Sequence, residues 1–322
     1  MTLASNMVST SNIFTASFIQ SVSALLKPEH LRILRSLKLT SATDDIARLG
    51  CFLDLLFARA LSEFIRQKSP ADIAHVVQGC CEVLSIWSKS PATIGSVIQR
   101  SDSNCAMFLA LNDHPFIIST IAERLHEAEI HLECFQHPIL TVDTTDVALS
   151  YIEIHPRCAD DIATAQPKVL EALEALKQVV ADHQAMLSLT RAINHTSGTP
   201  WSTEYGEISS SEGSAFVEWL TSGAFFFVAA STWSDARAAK ETLGMWKIPG
   251  LYRDALESEV KEDLSGAIGT TPAISIHKLR LSSLVHRRAS LLHIVITHQK
   301  SETHATSIIG YLTSKAWTSE AG

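Results

Sequence analysis

Apolar positions recur at helical spacing through the first hundred residues. Phe14, Phe18 and Val22 mark a helix over residues 13–26, with Ser11 or Asn12 as the expected cap. Lys27-Pro28 separates it from a second helix around Glu29–Leu37. Leu49, Phe52, Leu53, Leu56, Phe57 and Leu61 predict one amphipathic helix over Asp44–Gln67. Ser69-Pro70 stops that run and opens another, Ala71–Trp87, because proline suits a helix start. Ser90-Pro91 begins a short connector, and the spacing predicts helix up to about residue 100. This half-bundle is expected to pack against a sheet, with a stand-alone bundle as the alternative.

The pattern then changes. Met107–Leu111 is a short apolar run, read as a strand, and Asn112-Asp113-His114-Pro115 breaks it. This turn reads as a helix cap, with a short polar side chain accepting the first free N–H groups and Pro115 in the first turn. Phe116, Ile117, Ile121 and Leu125 form the apolar face of the helix, with Glu123, Arg124 and Glu127 opposite. Ile130, Leu132, Cys134 and Phe135 follow as strand material that Pro138 ends or bends, and Ala148–Ile154 is a second strand. Strand, helix and strands in this order open a split β-α-β unit of the ferredoxin-like kind.

After His155-Pro156 a long helix runs from Ala159 or Pro167 to about Ile193, with Val169, Leu173, Leu176, Val180 and Leu187 on one side. Asn194–Gly213, rich in Thr, Ser, Gly and Pro, reads as a linker. Beyond it lie a helix (Ser214–Thr221), a buried strand (Ala224–Ala230), a helix (Asp254–Leu264) and three strands, Ala273–Leu281, Ser290–Thr297 and Thr306–Leu312. The fold class is α+β, with a second α+β sandwich in the carboxy-terminal part.

Composition narrows the function. With 46% hydrophobic and 19% charged residues over 322 positions, the chain is built to fold. A net charge of -8, with no Lys/Arg cluster, argues against nucleic acid as a partner. The first 26 residues carry no charge, so neither a basic secretory n-region nor an Arg-rich transit peptide is present there. No run of 18 apolar residues predicts a membrane span. Cys51, Cys80, Cys81, Cys105, Cys134 and Cys158 show no C-x-x-C spacing and are expected as free thiols in a cytoplasmic protein.

Catalytic motifs are missing. His126-Glu127 fails the H-E-x-x-H pattern because position 130 is Ile, and the His131/His137 pair brings no acid or thiolate, so no metal is expected. There is no G-x-S-x-G elbow, and Ser214 after Gly213 reads as a helix cap. Gly266 and Gly269 do not make a G-x-G-x-x-G turn, so no cofactor is expected on this chain.

One place has a positive physical argument for a ligand, and a second is a candidate. The turn of Asn112, Asp113 and His114 would present free N–H groups and the positive end of a helix dipole, which suit a carboxylate. Read structurally, it is a capped turn that binds nothing. Lys278, His286 and Arg287 form the second candidate, in which the adjacent Arg287 and Arg288 beside His286 would hold an acidic ligand or a partner's carboxylates. Read structurally, they hold the second domain onto the first through salt bridges.

The segment LNDHPFIISTIAERLHEAEIHLECFQHPIL (111–140) resembles the first ACT-like regulatory region of the large bacterial NAD-dependent glutamate dehydrogenases, where an N-D-x-P-F turn leads into a helix and an I-H-L…H-P-[VI]-L strand follows. Three later stretches match in the same order: FVEWLTSGAFFF (216–227), KLRLSSLVHR (278–287) and IGYLTSKAW (309–317). The chain departs from the family at His114, where a small residue is usual, and at Arg288, where Pro is usual.

The resemblance covers roughly residues 50–317. It implies a helical segment (1–103), a first ACT-like domain (104–193), a linker (194–213) and a second α+β domain (214–322). It also implies a non-catalytic regulatory and assembly role. The parent reaction would be oxidative deamination of glutamate to 2-oxoglutarate with hydride transfer to NAD, carried out by a later part of the enzyme. Expected partners are further copies of the chain or the catalytic region, with an amino acid as possible effector. The alternative is a free-standing ACT-like amino-acid-binding protein.

Overall fold

The computed structural model describes residues 14–39, 44–100, 105–155, 158, 160–193, 200–234, 239–267, 273–297 and 305–317. The expected Ser11 or Asn12 cap lies outside them. The fold is mixed α+β with antiparallel sheets. Two compact units form, residues 1–114 with 125–170, and residues 115–124 with 171–322.

In the first unit the helices are α1 (Ala16–Ala24), α2 (Pro28–Ser36), α3 (Asp45–Leu56), α4 (Ser62–Arg66) and α5 (Pro70–Lys89). The Thr15 side chain caps α1, accepting from Phe18 N. The single helix expected over Asp44–Gln67 is broken between α3 and α4. The buried face of α3 ends at Phe57, and Leu61, read as its continuation, is 78% exposed. Ser69 and Asp72 form a reciprocal capping box at the start of α5, satisfying N–H groups that the helix itself leaves unpaired.

Strand β1 (Gly95–Arg100) follows, in a stretch read as helix and connector. Then come β2 (Cys105–Asn112), α6 (Ile117–Glu127), β3 (Leu132–Gln136), β4 (Ile139–Val142) and β5 (Thr145–Ile154). The sheet order is β1-β2-β5-β3, with β4 on the other end of β5. β2 and β3 each pair antiparallel with β5, so they run parallel to one another across it. β3 and β4 are one edge interrupted at His137-Pro138, where Pro138 O still accepts Leu149 N at 3.0 Å.

The five helices and this sheet share one core. Phe52, Phe57, Val77, Cys80 and Leu84 pack with Phe108, Leu149 and Tyr151. Phe108 stacks on Tyr151 at 5.4 Å between ring centroids, and Phe57 meets the Tyr151 ring edge at 6.2 Å. Gly79 makes room for this: a Cβ there would stand 2.5 Å from the Phe108 ring. Met107, Leu109, Leu111 and Ile152, between those core positions along β2 and β5, are equally buried. Burial on both faces explains why β2 and β5 read as unbroken apolar runs.

Helix α7 (Asp161–Ala192) continues across Pro167. Val169, Leu173 and Leu176 are buried as expected, but Val179 takes the place foreseen for Val180. Within the stretch read as a linker, residues 194–199 lie outside the described residues, while β6 (Trp201–Thr203) and β7 (Gly206–Ile208) form a hairpin.

In the second unit, α8 (Ser210–Trp219) is capped by Ser209 and Glu212, not by Ser214, and ends in a π-turn at Leu220–Ala224. β8 (Phe225–Trp233), β9 (Ala239–Gly244), α9 (Leu251–Ala267), β10 (Ile274–Ser282), β11 (Ser290–Thr297) and β12 (Ala305–Leu312) follow. The strand order is β10-β11-β12-β8-β9, antiparallel throughout. Leu256, Val260 and Leu264 of α9 are buried, and the helix packs on β10 and β11. No helix among the described residues is long and apolar enough to cross a membrane.

Candidate functional site

The residues singled out from the sequence fall in different units. In the first, Asn112 ends β2 and its Oδ1 accepts the Trp87 indole N–H at 3.1 Å. The Asp113 backbone N–H donates to Asp146 O at 2.8 Å. Helix α6 begins only at Ile117, so the cap position belongs to Phe116, and Asp113 stands four positions before the helix. The reading of Asn112 and Asp113 as caps is therefore corrected. Asn112 braces a tryptophan, and the chain enters the helix through Phe116, whose φ is 72°.

In the second unit Lys278 is an exposed residue of β10, opposite Leu292. Among the described residues no hydrogen bond or ion pair joins it to His286 or Arg287. Those two lie in the loop after β10, which Ser283 folds. The Ser283 hydroxyl donates to Val285 O at 2.9 Å and accepts Val285 N at 3.2 Å. Arg287 N then donates to Val285 O at 2.8 Å, closing a three-residue turn centred on His286, whose φ is 64°. Such γ-turns with positive φ are rare and strained.

The strain is held by neighbours. The His286 N–H donates to Thr120 Oγ1 at 2.9 Å, and His286 Nδ1 lies 2.8 Å from Ser119 Oγ. The imidazole packs 4.4 Å from the Phe116 ring and 5.5 Å from Phe226. Phe226 stacks on Tyr311 at 4.9 Å. Arg287 lies over the Tyr311 ring and donates from Nη2 to Leu312 O at 2.6 Å. Burial, then the Arg287 charge, hold the His286 imidazole below its ordinary pKa. Lys315 Nζ donates to Ser222 O and Thr313 Oγ1 to Gly223 O. Gly310 is required here, since a Cβ would stand 2.0 Å from Phe226 O.

Hydrogen bonds to carbonyls and ring stacking thus anchor Arg287, where salt bridges had been expected. Segments more than 150 residues apart in sequence meet at one cluster, and two non-glycine residues with positive φ touch at its centre. Backbone strain of this kind persists only where surrounding structure over-determines it.

A second constellation escaped the sequence. His293 Nδ1 lies 2.7 Å from Asp263 Oδ2, and His293 Nε2 lies 2.8 Å from Ser307 Oγ. This is the connectivity of a serine-hydrolase triad, contributed by α9, β11 and β12. His293 and Ser307 are wholly buried inside the sheet layer, and a nucleophile must be reached by its substrate. The triplet is a buried polar tie between helix and sheet. His277, with Nδ1 3.7 Å from Asp263 Oδ1, completes the set. Three positions on three elements leave no spacing in sequence to find.

Elsewhere, all six cysteines are free thiols, and burial pushes Cys81 up to about 12, leaving it unreactive. His137 Nδ1 pairs with Ser150 Oγ at 2.8 Å. Neither a protein-family model nor a curated protein matches the chain.

Proposed function

We propose that the chain is a non-catalytic regulatory and assembly region, of the kind found in the amino-terminal part of the large bacterial NAD-dependent glutamate dehydrogenases. Its two five-stranded sheets then correspond to ACT-like units, with β2, α6, β3 and β5 following one another along the chain in the split β-α-β order of the first. The parent enzyme would oxidatively deaminate glutamate to 2-oxoglutarate.

One observation carries this reading. The four segments that resemble the family supply Phe116, Ser119 and Thr120, then Phe226, then His286 and Arg287, then Tyr311 and Leu312, and these make one contact cluster. Motif residues that meet in space support a shared architecture better than motif order alone.

Self-association fits the same role, since β1 and β3 on one five-stranded sheet and β9 on the other are edge strands that a partner can extend. The test is reconstitution. The purified chain is mixed with the separately expressed catalytic region of a large-type glutamate dehydrogenase. Co-elution and a changed rate of glutamate-dependent NADH formation are expected. Absence of both, or NADH formation by this chain alone, overturns the proposal.

A further inference from the structure

The first unit contains a half-open cavity of about 550 Å³ between α2, α5 and the start of the sheet. That volume lies in the range of small-molecule sites, roughly 300–1,000 Å³. Its charge pattern is the informative feature. Lys27 and Arg32 come from the α2 side, Lys89 from the end of α5, and the acids Glu29 and Glu82 face the same space. Among the described residues none of these five charged side chains forms an ion pair with another. Opposite charges that border one cavity and stay unpaired suit a ligand bearing both signs.

Two neutral groups sharpen the chemistry. Gln99 Nε2 donates to Glu82 Oε2 at 3.3 Å, while the buried Gln99 Oε1 has no hydrogen-bond partner. That oxygen has no accessible surface and lies against Gly79 of α5, so it is closed off from the cavity and only the Gln99 amide that orients Glu82 bears on a ligand. His30 Nδ1 accepts the Lys27 N–H at 3.3 Å, which puts the ring proton on Nε2 as a further donor. Burial, opposed by Glu29, holds His30 below its usual pKa, so the ring adds a hydrogen bond and no third sign of charge.

We propose that this cavity binds an α-amino acid with an acidic side chain, its ammonium on Glu82 and its carboxylates on Lys27, Arg32 and Lys89. Three cations against two acids leave the lining one positive charge in excess, and such a ligand carries one net negative charge. A dicarboxylate lacking the ammonium leaves the Glu82 side unanswered. A basic amino acid adds charge of the sign already in excess. None of the residues in this argument belongs to the four family-like segments, so the proposal goes beyond the regulatory reading and does not rest on it.

The test is calorimetric titration of the full chain with glutamate, aspartate, succinate and lysine, repeated on Arg32→Gln and Glu82→Gln. Both side chains are exposed, so neither substitution disturbs the core. Glutamate or aspartate is expected to bind, with succinate and lysine at least ~10-fold weaker, and each variant is expected to lose roughly tenfold in affinity, the equivalent of one polar contact. The proposal is overturned by no binding of either acidic amino acid, by binding that both variants leave intact, or by succinate binding as tightly as glutamate.

Discussion

Phe116 and His286 each hold a positive φ that residues with bulky side chains rarely adopt, and their rings pack 4.4 Å apart. The turn that leads into α6 and the strained turn after β10 therefore stabilise each other.

The hydrogen bond from the His286 backbone to Thr120 is the most exacting part of this arrangement, because Thr120 is wholly buried. Thr120→Val keeps the shape and removes the acceptor, leaving an orphaned N–H. The expected loss is about 1–3 kcal/mol in denaturant unfolding. A variant as stable as the parent would show that the turn does not need this bond.

Asp113 makes the opposite case. A lost helix cap costs about 0.5–2 kcal/mol. Since α6 begins at Ile117, Asp113→Ala is expected to fall within ~0.5 kcal/mol of the parent, as surface substitutions usually do. Ser69→Ala, which breaks a formed capping box on α5, should cost about 1 kcal/mol in the same melts.

Acid should weaken the fold well above the carboxylate range. His137, His183, His286 and His293 are all held below the ordinary histidine value, first by burial. At His293 burial outweighs the neighbouring Asp263. Below a pH of about 6.5 the unfolded chain takes up protons on these rings before the folded chain does, so stability is present above that pH and falls as pH drops through it. Thermal melts from pH 8 to 5 should show the decline, and His293→Gln should flatten part of it. A parent melting temperature that stays level to pH 5 would contradict this.

Gly79 sits inside α5, where alanine normally helps a helix by about 1 kcal/mol. Here a methyl group would press into the Phe108 ring, and overpacking costs about 1–3 kcal/mol. Gly79→Ala is expected to lower the melting temperature. An unchanged or raised value would show that Phe108 can move aside.

Asp182 accepts the Gly244 N–H at 2.7 Å and the Lys247 ammonium at 2.8 Å. Burial works against its ionised form, but these bonds and one from Gln178 hold the carboxyl below its usual pKa. Asp182→Ala should cost roughly 1.5–3 kcal/mol, read by urea unfolding.

Local signals in the chain were sufficient for much of the architecture. Period, caps and prolines placed α2, α5, α6 and the strands β2, β5, β10, β11 and β12, because each is specified by contacts between near neighbours in sequence. Local rules misread β1 and the break after Phe57 and gave no reading of β9, where half-buried residues give no clean period and tertiary packing chooses the state. His286 and Arg287 stood out in the sequence, but their role did not. The γ-turn, the Phe116 stack and the bond to Thr120 depend on residues about 170 positions away. The Asp263–His293–Ser307 tie and the charges gathered around the α2–α5 cavity exist only once strands and helices from separate stretches are packed together. Sequence alone determined most of the helices and the buried strands, since that choice is largely local. The tertiary structure decided which polar groups meet, since distance in space is unrelated to distance along the chain.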